Sequence, residues 1–231
     1  MPGQKPANLY AYYSVGCRDN DFDQNKTHWR LITLQQVATD YLGLDYEEIK
    51  PCITRSLKRR PTKEPYVAIT EFSTFKCKEW NNPTGWQEVI DNLNEQGIKT
   101  MVISKESTNL KNVIDRTNST INQTMNNIQH AEVFIGVSTG PTWLAWALDV
   151  PTVMISGYSK EITEMKSCHR IINKDVCNGC INNLSYKFDR GNWNWCPASD
   201  LKQVEQFICT KSILSSNVLN TINTAMINGS E

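Results

Sequence analysis

No charge of one sign dominates this chain. Lys and Arg together number 24, and so do Asp and Glu. That balance removes any general electrostatic pull toward nucleic acid or an anionic membrane surface, and neither is expected as a partner. No apolar run reaches the length of a membrane span, so no transmembrane element is expected. The opening Met-Pro-Gly-Gln-Lys-Pro lacks the apolar stretch of a secretory leader, and a cytoplasmic protein is expected. What the chain does have is 39% hydrophobic residues, enough for a sizeable core, over 231 residues. That length suits one large domain or one and a half. It also has eight cysteines. In a reducing compartment, clustered cysteines mean metal or reactivity before they mean disulfides.

The stretch 130–157 organises the rest. Val133–Val137 is a short apolar run rich in branched residues, which suits a buried strand. Ser138 and Thr139 offer hydroxyls where a helix would start, and Pro141 stands where a first helical residue would be. Thr142–Leu148 reads as helix, Asp149-Val150-Pro151 stops it, and Thr152–Ile155 is apolar again. Strand, helix and strand make a crossover unit, so the two strands should be parallel. The Ser138–Gly140 turn then lies at the carboxyl edge of a sheet, at a helix N-terminus. Free N–H groups and the helix dipole favour an anion there. A phosphate seat and an ordinary capped helix both fit the local pattern.

The flanks extend the theme. Leu9–Val15 reads as one strand, and Trp29–Leu44 has helical spacing closed by Gly43. Residues 45–65, with three prolines and the basic run Lys58-Arg59-Arg60, read as a linker whose charges face solvent. Tyr66–Thr70 and Thr100–Ser104 read as strands, and Pro83–Gln96 as an amphipathic helix between them. Leu110–Gln129 is partly helical but interrupted by Thr-Asn-Ser-Thr. The alternation predicts an α/β fold, a doubly wound parallel sheet with helices on both faces. Both the Glu71–Asn82 loop and the Ser138–Thr142 turn belong to its carboxyl edge, so Lys78 can face the same anion. Without that geometry, Lys78 is a solvated loop lysine. No Asp-x-Asp pair lies near the turn, and no divalent cation is needed there.

Residues 166–210 lack periodicity and are dense in Cys, Trp, Asn and Gly. Cys177-Asn178-Gly179-Cys180 is a C-x2-C knuckle, followed by Cys196 and Cys209. Two close thiolates and two later ones suit a tetrahedral all-sulfur site for one structural metal, zinc or iron. Trp193, Trp195 and Pro197 would supply a dry shell. A redox dithiol at Cys177/Cys180 and unrelated buried thiols are the alternatives. Cys17, Cys52, Cys77 and Cys168 lack such spacing and read as small core or loop residues. Residues 211–231 read as a polar tail with one weak helix.

The stretch Phe134-Ile135-Gly136-Val137-Ser138-Thr139-Gly140-Pro141-Thr142-Trp143-Leu144-Ala145-Trp146-Ala147-Leu148 resembles the donor-binding segment of family 9 glycosyltransferases, the ADP-heptose transferases. Lys78-Glu79-Trp80-Asn81-Asn82-Pro83-Thr84-Gly85-Trp86, the knuckle, Trp193-Asn194-Trp195-Cys196-Pro197 and Gln206–Ile213 resemble the autotransporter protein O-heptosyltransferases within that family. The helix Trp29–Asp45 resembles the one leading into the family's second domain. The resemblance implies the C-terminal, Rossmann-like half of a GT-B fold with a four-cysteine metal finger inserted, the metal being iron. It implies that Lys78, Ser138, Thr139, Gly140 and Thr142 hold the diphosphate of a nucleotide-sugar, ADP-heptose, and that Cys177, Cys180, Cys196 and Cys209 hold the metal. Pro141 departs from the apolar residue usual at its position. The family's N-terminal domain, with its acceptor site and general-base Asp, is almost entirely absent. Asp19, Asp21 and Asp23 do not occupy that base's position, and the catalytic residues are unknown.

The expected division is therefore 1–64 remnant and linker, 65–165 nucleotide-sugar-binding domain, 166–213 metal finger and 214–231 tail. Two functions follow. One is a glycosyltransferase passing the sugar to a protein Ser/Thr hydroxyl. The other is a metal-stapled nucleotide-sugar-binding module, inactive without a complementary N-terminal-domain chain. Homo-oligomerisation is compatible with either. A redox protein using Cys177/Cys180 is the third and weakest reading.

Overall fold

The computed structural model describes residues 27–53 and 59–228. The expected strand at Leu9–Val15 lies outside them, as do Cys17, Asp19, Asp21, Asp23 and Lys58. The chain forms two compact units, Met1–Ile49 and Lys50–Glu231. In the first, the expected helix over Trp29–Leu44 is broken. Trp29–Leu31 is a single 3-10 turn, and Thr33 in extended backbone starts α1 (Leu34–Tyr41) afresh. The Thr33 hydroxyl accepts the Gln36 N–H at 3.1 Å. A threonine that can cap outcompetes the apolar spacing that runs through it.

The second unit is built on six parallel strands. They are β1 (Tyr66–Ile69), β2 (Lys99–Val102), β3 (Ile114–Asp115), β4 (Val133–Gly136), β5 (Thr152–Ile155) and β6 (His169–Ile171), in the order β3-β2-β1-β4-β5-β6. This is the expected Rossmann-like doubly wound sheet. Strands β3 and β6 are additions to the sequence reading. Both are short edge strands, too brief to carry an alternating pattern.

Alternation along the central strands makes both faces dry. Val67, Ile69, Val133, Ile135, Val153 and Ile155 point to one side. There they meet α2 (Gly85–Glu95) through Val89, Ile90 and Leu93. On the other side Tyr66, Ala68, Met101 and Phe134 meet Ile128 of α3 (Ile121–Gln129) and Ala145 of α4 (Gly140–Ala147). Thr-Asn-Ser-Thr does not interrupt a helix; Thr120 begins one. Its hydroxyl accepts the Gln123 N–H while the Gln123 side chain accepts from the Thr120 N–H, a capping box. Arg60 is more than a solvated charge. It pairs with Glu132 at 2.7 Å and lies 5.7 Å from the Tyr66 ring centroid.

After β6 come α5 (Pro197–Asp200) and α6 (Ile208–Lys211), each four residues long, and then α7 (Ser215–Asn228). The last is the helix expected in the tail, and it belongs to the core rather than standing as a weak element. Val218, Ile222 and Ala225, all fully buried, form an i, i+4, i+7 stripe that packs with α2 on the sheet. Because β1 leads outward to β2 and β3, and the chain returns to place β4 beside β1, strand order reverses between β1 and β4. In open parallel sheets, ligands bind outside the carboxyl ends at that reversal.

Candidate functional site

Three loops leave the carboxyl edge around the reversal: 70–84 after β1, 137–139 after β4 and 156–159 after β5. The exits of β1 and β4 are packed tightly. A Cβ on Gly136 would stand 2.6 Å from Thr142 Oγ1 and 2.7 Å from Thr70 Cγ2, so only glycine fits between them. Thr142 is fully buried, and its hydroxyl donates to the Val137 carbonyl at 2.6 Å. Thr139 is the N-cap of α4, but its side chain makes no capping bond. Its hydroxyl turns back to the Val137 carbonyl at 3.4 Å. The expected hydroxyl capping by this turn is thus not made, because Val137 takes the hydroxyls instead. Ser138 and Thr139 are half-buried and Gly140 is exposed, at the positive end of an eight-residue helix.

Lys78 ends the short 3-10 turn Lys76–Lys78. Its Nζ lies 5.4 Å from the centroid of the Tyr158 ring, which follows β5, so Lys78 stands at the same edge as the Ser138–Gly140 turn. The rest of its sequence motif serves the loop. Glu79, 4% exposed, accepts from Lys76 Nζ at 2.6 Å and from the Ser73 N–H at 3.2 Å. The Trp80 indole N–H donates to the Ile213 carbonyl at 3.1 Å, and the Asn81 amide donates to Thr210 Oγ1 at 3.0 Å. Gly85 is required because a Cβ there would enter the Trp80 ring.

Two groups at this edge were not legible in the sequence. Glu71 Oε1 and Ser73 Oγ are buried with no hydrogen-bond partner among the described residues. Burial holds the Glu71 carboxyl above the usual carboxylate range. A polar loop offers no periodicity from which to foresee which side chains turn inward. Behind β5, Glu164 is 2% exposed and pairs with Arg170, and Ser159 Oγ donates to it. That buried charge pair braces the 156–159 loop.

The cysteines converge on the β5 exit. Gly179 of the knuckle has φ +70°, and its N–H donates to the Gly157 carbonyl at 2.8 Å. A Cβ on Gly157 would lie 2.9 Å from Cys209 Sγ. Burial pushes the Cys209 thiol up to about 12, and Cys180, Cys177 and Cys196 push in the same direction. Cys177 is raised too, by burial and then by Cys196. Cys77, which lacks ligand spacing in the sequence, proves to be a fifth neighbour. It is 5% exposed and is raised to about 12 by burial, opposed by Lys78 and reinforced by Cys209, Cys180 and Cys196. The expected ligand sphere is not formed, however. Among the described residues, no three His, Cys, Asp or Glu side chains are gathered tightly enough to hold a metal ion. The shell also differs from expectation: Trp195 and Pro197 are buried, but Trp193 is 47% exposed. Thiols that oppose one another's ionisation are still sulfur donors of the kind a soft cation takes as thiolates. Cys168, a donor to the Met165 carbonyl, and exposed Cys52 take no part.

This arrangement has counterparts in known proteins. The profile of Glycosyltransferase family 9 (heptosyltransferase) matches residues 22–194. The chain is 34% identical over 226 residues to the autotransporter heptosyltransferase Aah of Escherichia coli, covering 93% of this chain and 57% of Aah. It is 30% identical to BimC of Burkholderia thailandensis, named an inactive autotransporter heptosyltransferase, over 54% of that protein. The chain thus spans about half the length of the curated relatives it matches. Among solved structures, TibC from enterotoxigenic Escherichia coli H10407, an iron-containing dodecameric glycosyltransferase, superposes with a TM-score of 0.86 at 32% identity, covering 95% of this chain and 60% of TibC. TibC in complex with ADP-D-beta-D-heptose superposes with a TM-score of 0.88 over 97% of this chain and 62% of TibC. Profile, sequence relatives and structural neighbours agree with a sheet whose order reverses beside a helix N-terminus, and the chain belongs to glycosyltransferase family 9, the heptosyltransferases.

Proposed function

We propose that this chain is the donor-binding half of a heptosyltransferase that takes ADP-heptose and passes the sugar to a protein Ser/Thr hydroxyl. The observation that carries the reading is the uncapped first turn of α4 at the β1/β4 reversal, with Lys78 standing at the same edge. In this reading the diphosphate rests on Ser138, Thr139 and Gly140 and is paired by Lys78. Thr142 contributes by bracing the turn through Val137. The dipole of α4 and the Lys78 ammonium stabilise charge that develops on the leaving diphosphate. Residues 65–165 hold the donor. Residues 166–213 form the finger, where Cys177, Cys180, Cys196 and Cys209 hold one structural metal, iron or zinc, that would order a segment with little regular structure. The resemblance to iron-containing, dodecameric TibC supports both the metal and self-assembly. A reducing cytoplasm suits the thiols. No described residue is assigned as the general base.

A second reading keeps the donor site and gives up turnover by this chain alone. It is favoured by the half-length match and by an inactive member among the relatives. Calorimetry on the metal-loaded chain separates the outcomes. ADP should bind, and Lys78→Ala should weaken it by at least about tenfold, the range of a lost charge-assisted hydrogen bond. ADP binding with sugar transfer to an acceptor protein establishes the transferase. Binding without transfer establishes the module. A folded, metal-loaded chain that leaves ADP in solution overturns both.

A further inference from the structure

We propose that Tyr158 is a positioning residue for the donor diphosphate: its ring holds the Lys78 ammonium at the carboxyl edge, and the buried ion pair behind β5 fixes the ring. The inference rests on the donor reading given above. Lys78 leaves a three-residue turn, and its ammonium ends a flexible stem. Something must choose the direction of that stem. Lys78 Nζ stands over the face of Tyr158, 5.4 Å from the ring centroid. The negative face of an aromatic ring attracts a cation, more strongly where water is excluded. Tyr158 is only 8% exposed, so its ring is largely shielded. A ring face also differs from a carboxylate in what it leaves behind. It holds the ammonium without cancelling its charge, so the ring leaves that charge to act on an anion.

The ring is itself held in place. Buried Trp195 meets it edge-on, with centroids 6.1 Å apart and planes at 76°. The Tyr158 carbonyl accepts the Ile181 N–H at 3.2 Å, and the carbonyl before it accepts the Gly179 N–H at 2.8 Å. On the far side, the Ser156 hydroxyl donates to the Ser159 carbonyl at 3.1 Å, and the Ser159 hydroxyl donates to Glu164. Glu164 pairs with Arg170, the two side chains being 1% and 8% exposed. Burying a charge pair adds little net stability, and its worth here is that it admits one arrangement. The loop therefore presents Tyr158 in one pose, and Tyr158 presents Lys78.

The test is calorimetric titration of the full chain and its variants with ADP. Tyr158→Leu should weaken ADP by about 3–10-fold, the range of a shielded cation–π contact. Tyr158→Phe keeps the ring face and should stay within about twofold of the parent chain. In the Lys78→Ala background, Tyr158→Leu should change ADP affinity by less than about twofold, because the ring then has no cation to hold. A general disturbance of the fold would weaken ADP in both backgrounds, and that result overturns the inference. Equal losses in Tyr158→Phe and Tyr158→Leu would make the hydroxyl the acting group, and they overturn it too. Should Tyr158→Leu not fold, successively fluorinated phenylalanines at position 158 decide. ADP affinity should fall stepwise as fluorine withdraws charge from the ring face, and a constant affinity overturns the inference. A folded parent chain that leaves ADP in solution sinks the donor reading itself. ADP binding that ignores the ring sinks only the positioning role.

Discussion

The sheet and the cysteine segment are two ways of ordering a chain. Strands β1, β4 and β5 are buried throughout; the side chains of β1 and β4 alternate between two apolar clusters, and β5 turns Val153 and Ile155 to the first of these and Met154 to a third, with Trp146 and Met165. Removing that surface from water suffices to order them. The segment from 172 to 211 offers two four-residue helices and a few buried apolar side chains such as Ile181, Trp195 and Phe207. Leu184, Trp193 and Leu201 are exposed. Backbone turns and two aromatic edge contacts hold it, and its thiols stand near the β5 exit. Hydrophobic burial is a property of a whole layer, whereas a thiol cluster orders only what lies around it. The two regions should therefore fail separately.

The largest expected effect tests the metal proposed above, by withdrawing it from the metal-loaded chain. Structural metal sites in small domains contribute on the order of 10 kcal/mol. Chelation should bring amide exchange in residues 176–210 close to the unfolded rate while β1, β4 and β5 stay protected. Equal loss of protection in both regions would break the comparison. Next, Ile222→Ala removes a fully buried side chain from α7 and should cost about 2–5 kcal/mol in denaturant unfolding, with metal content unchanged. Gly136→Ala and Gly157→Ala each force a Cβ within 3 Å of its neighbours and should cost about 1–3 kcal/mol. The first should appear as a lower unfolding midpoint. The second should appear chiefly as faster loss of metal to a chelator, because its clash is with Cys209. The smallest effect sharpens the boundary: Trp193→Ala, in the cysteine segment and exposed, should stay within about 0.5 kcal/mol of the parent chain in the same unfolding measurement.

Legibility in the sequence followed the same boundary. β1, β2, β4, β5 and α4 were readable within a residue or two as short apolar runs bounded by turn residues, and α2 by apolar side chains repeated at the helical period. β3 escaped because two residues cannot show a period. α7 was read only as a weak helix in a polar tail because its stripe is narrow and lies among Asn, Thr and Ser. Thr33 and Thr120 were readable as threonines but not as helix starts, since a cap is recognised only once the helix after it is in place. At the candidate site, the turn and Lys78 could be placed from strand order. Glu71, Ser73 and Cys77 could not, because which loop side chains turn inward depends on partners far along the chain.

By itself, the sequence determined the fold class, the parallel crossover around Ser138–Gly140 and the spacing of four cysteines. These are local or periodic features, set by which residues stand a few positions apart. Only the tertiary structure decided that α7 closes the core, that Val137 and not the helix takes the threonine hydroxyls, and that Cys77, beside Lys78, is buried. Each of those depends on a contact between segments distant in the chain, and such a contact exists only when the whole sheet has brought its carboxyl edge together.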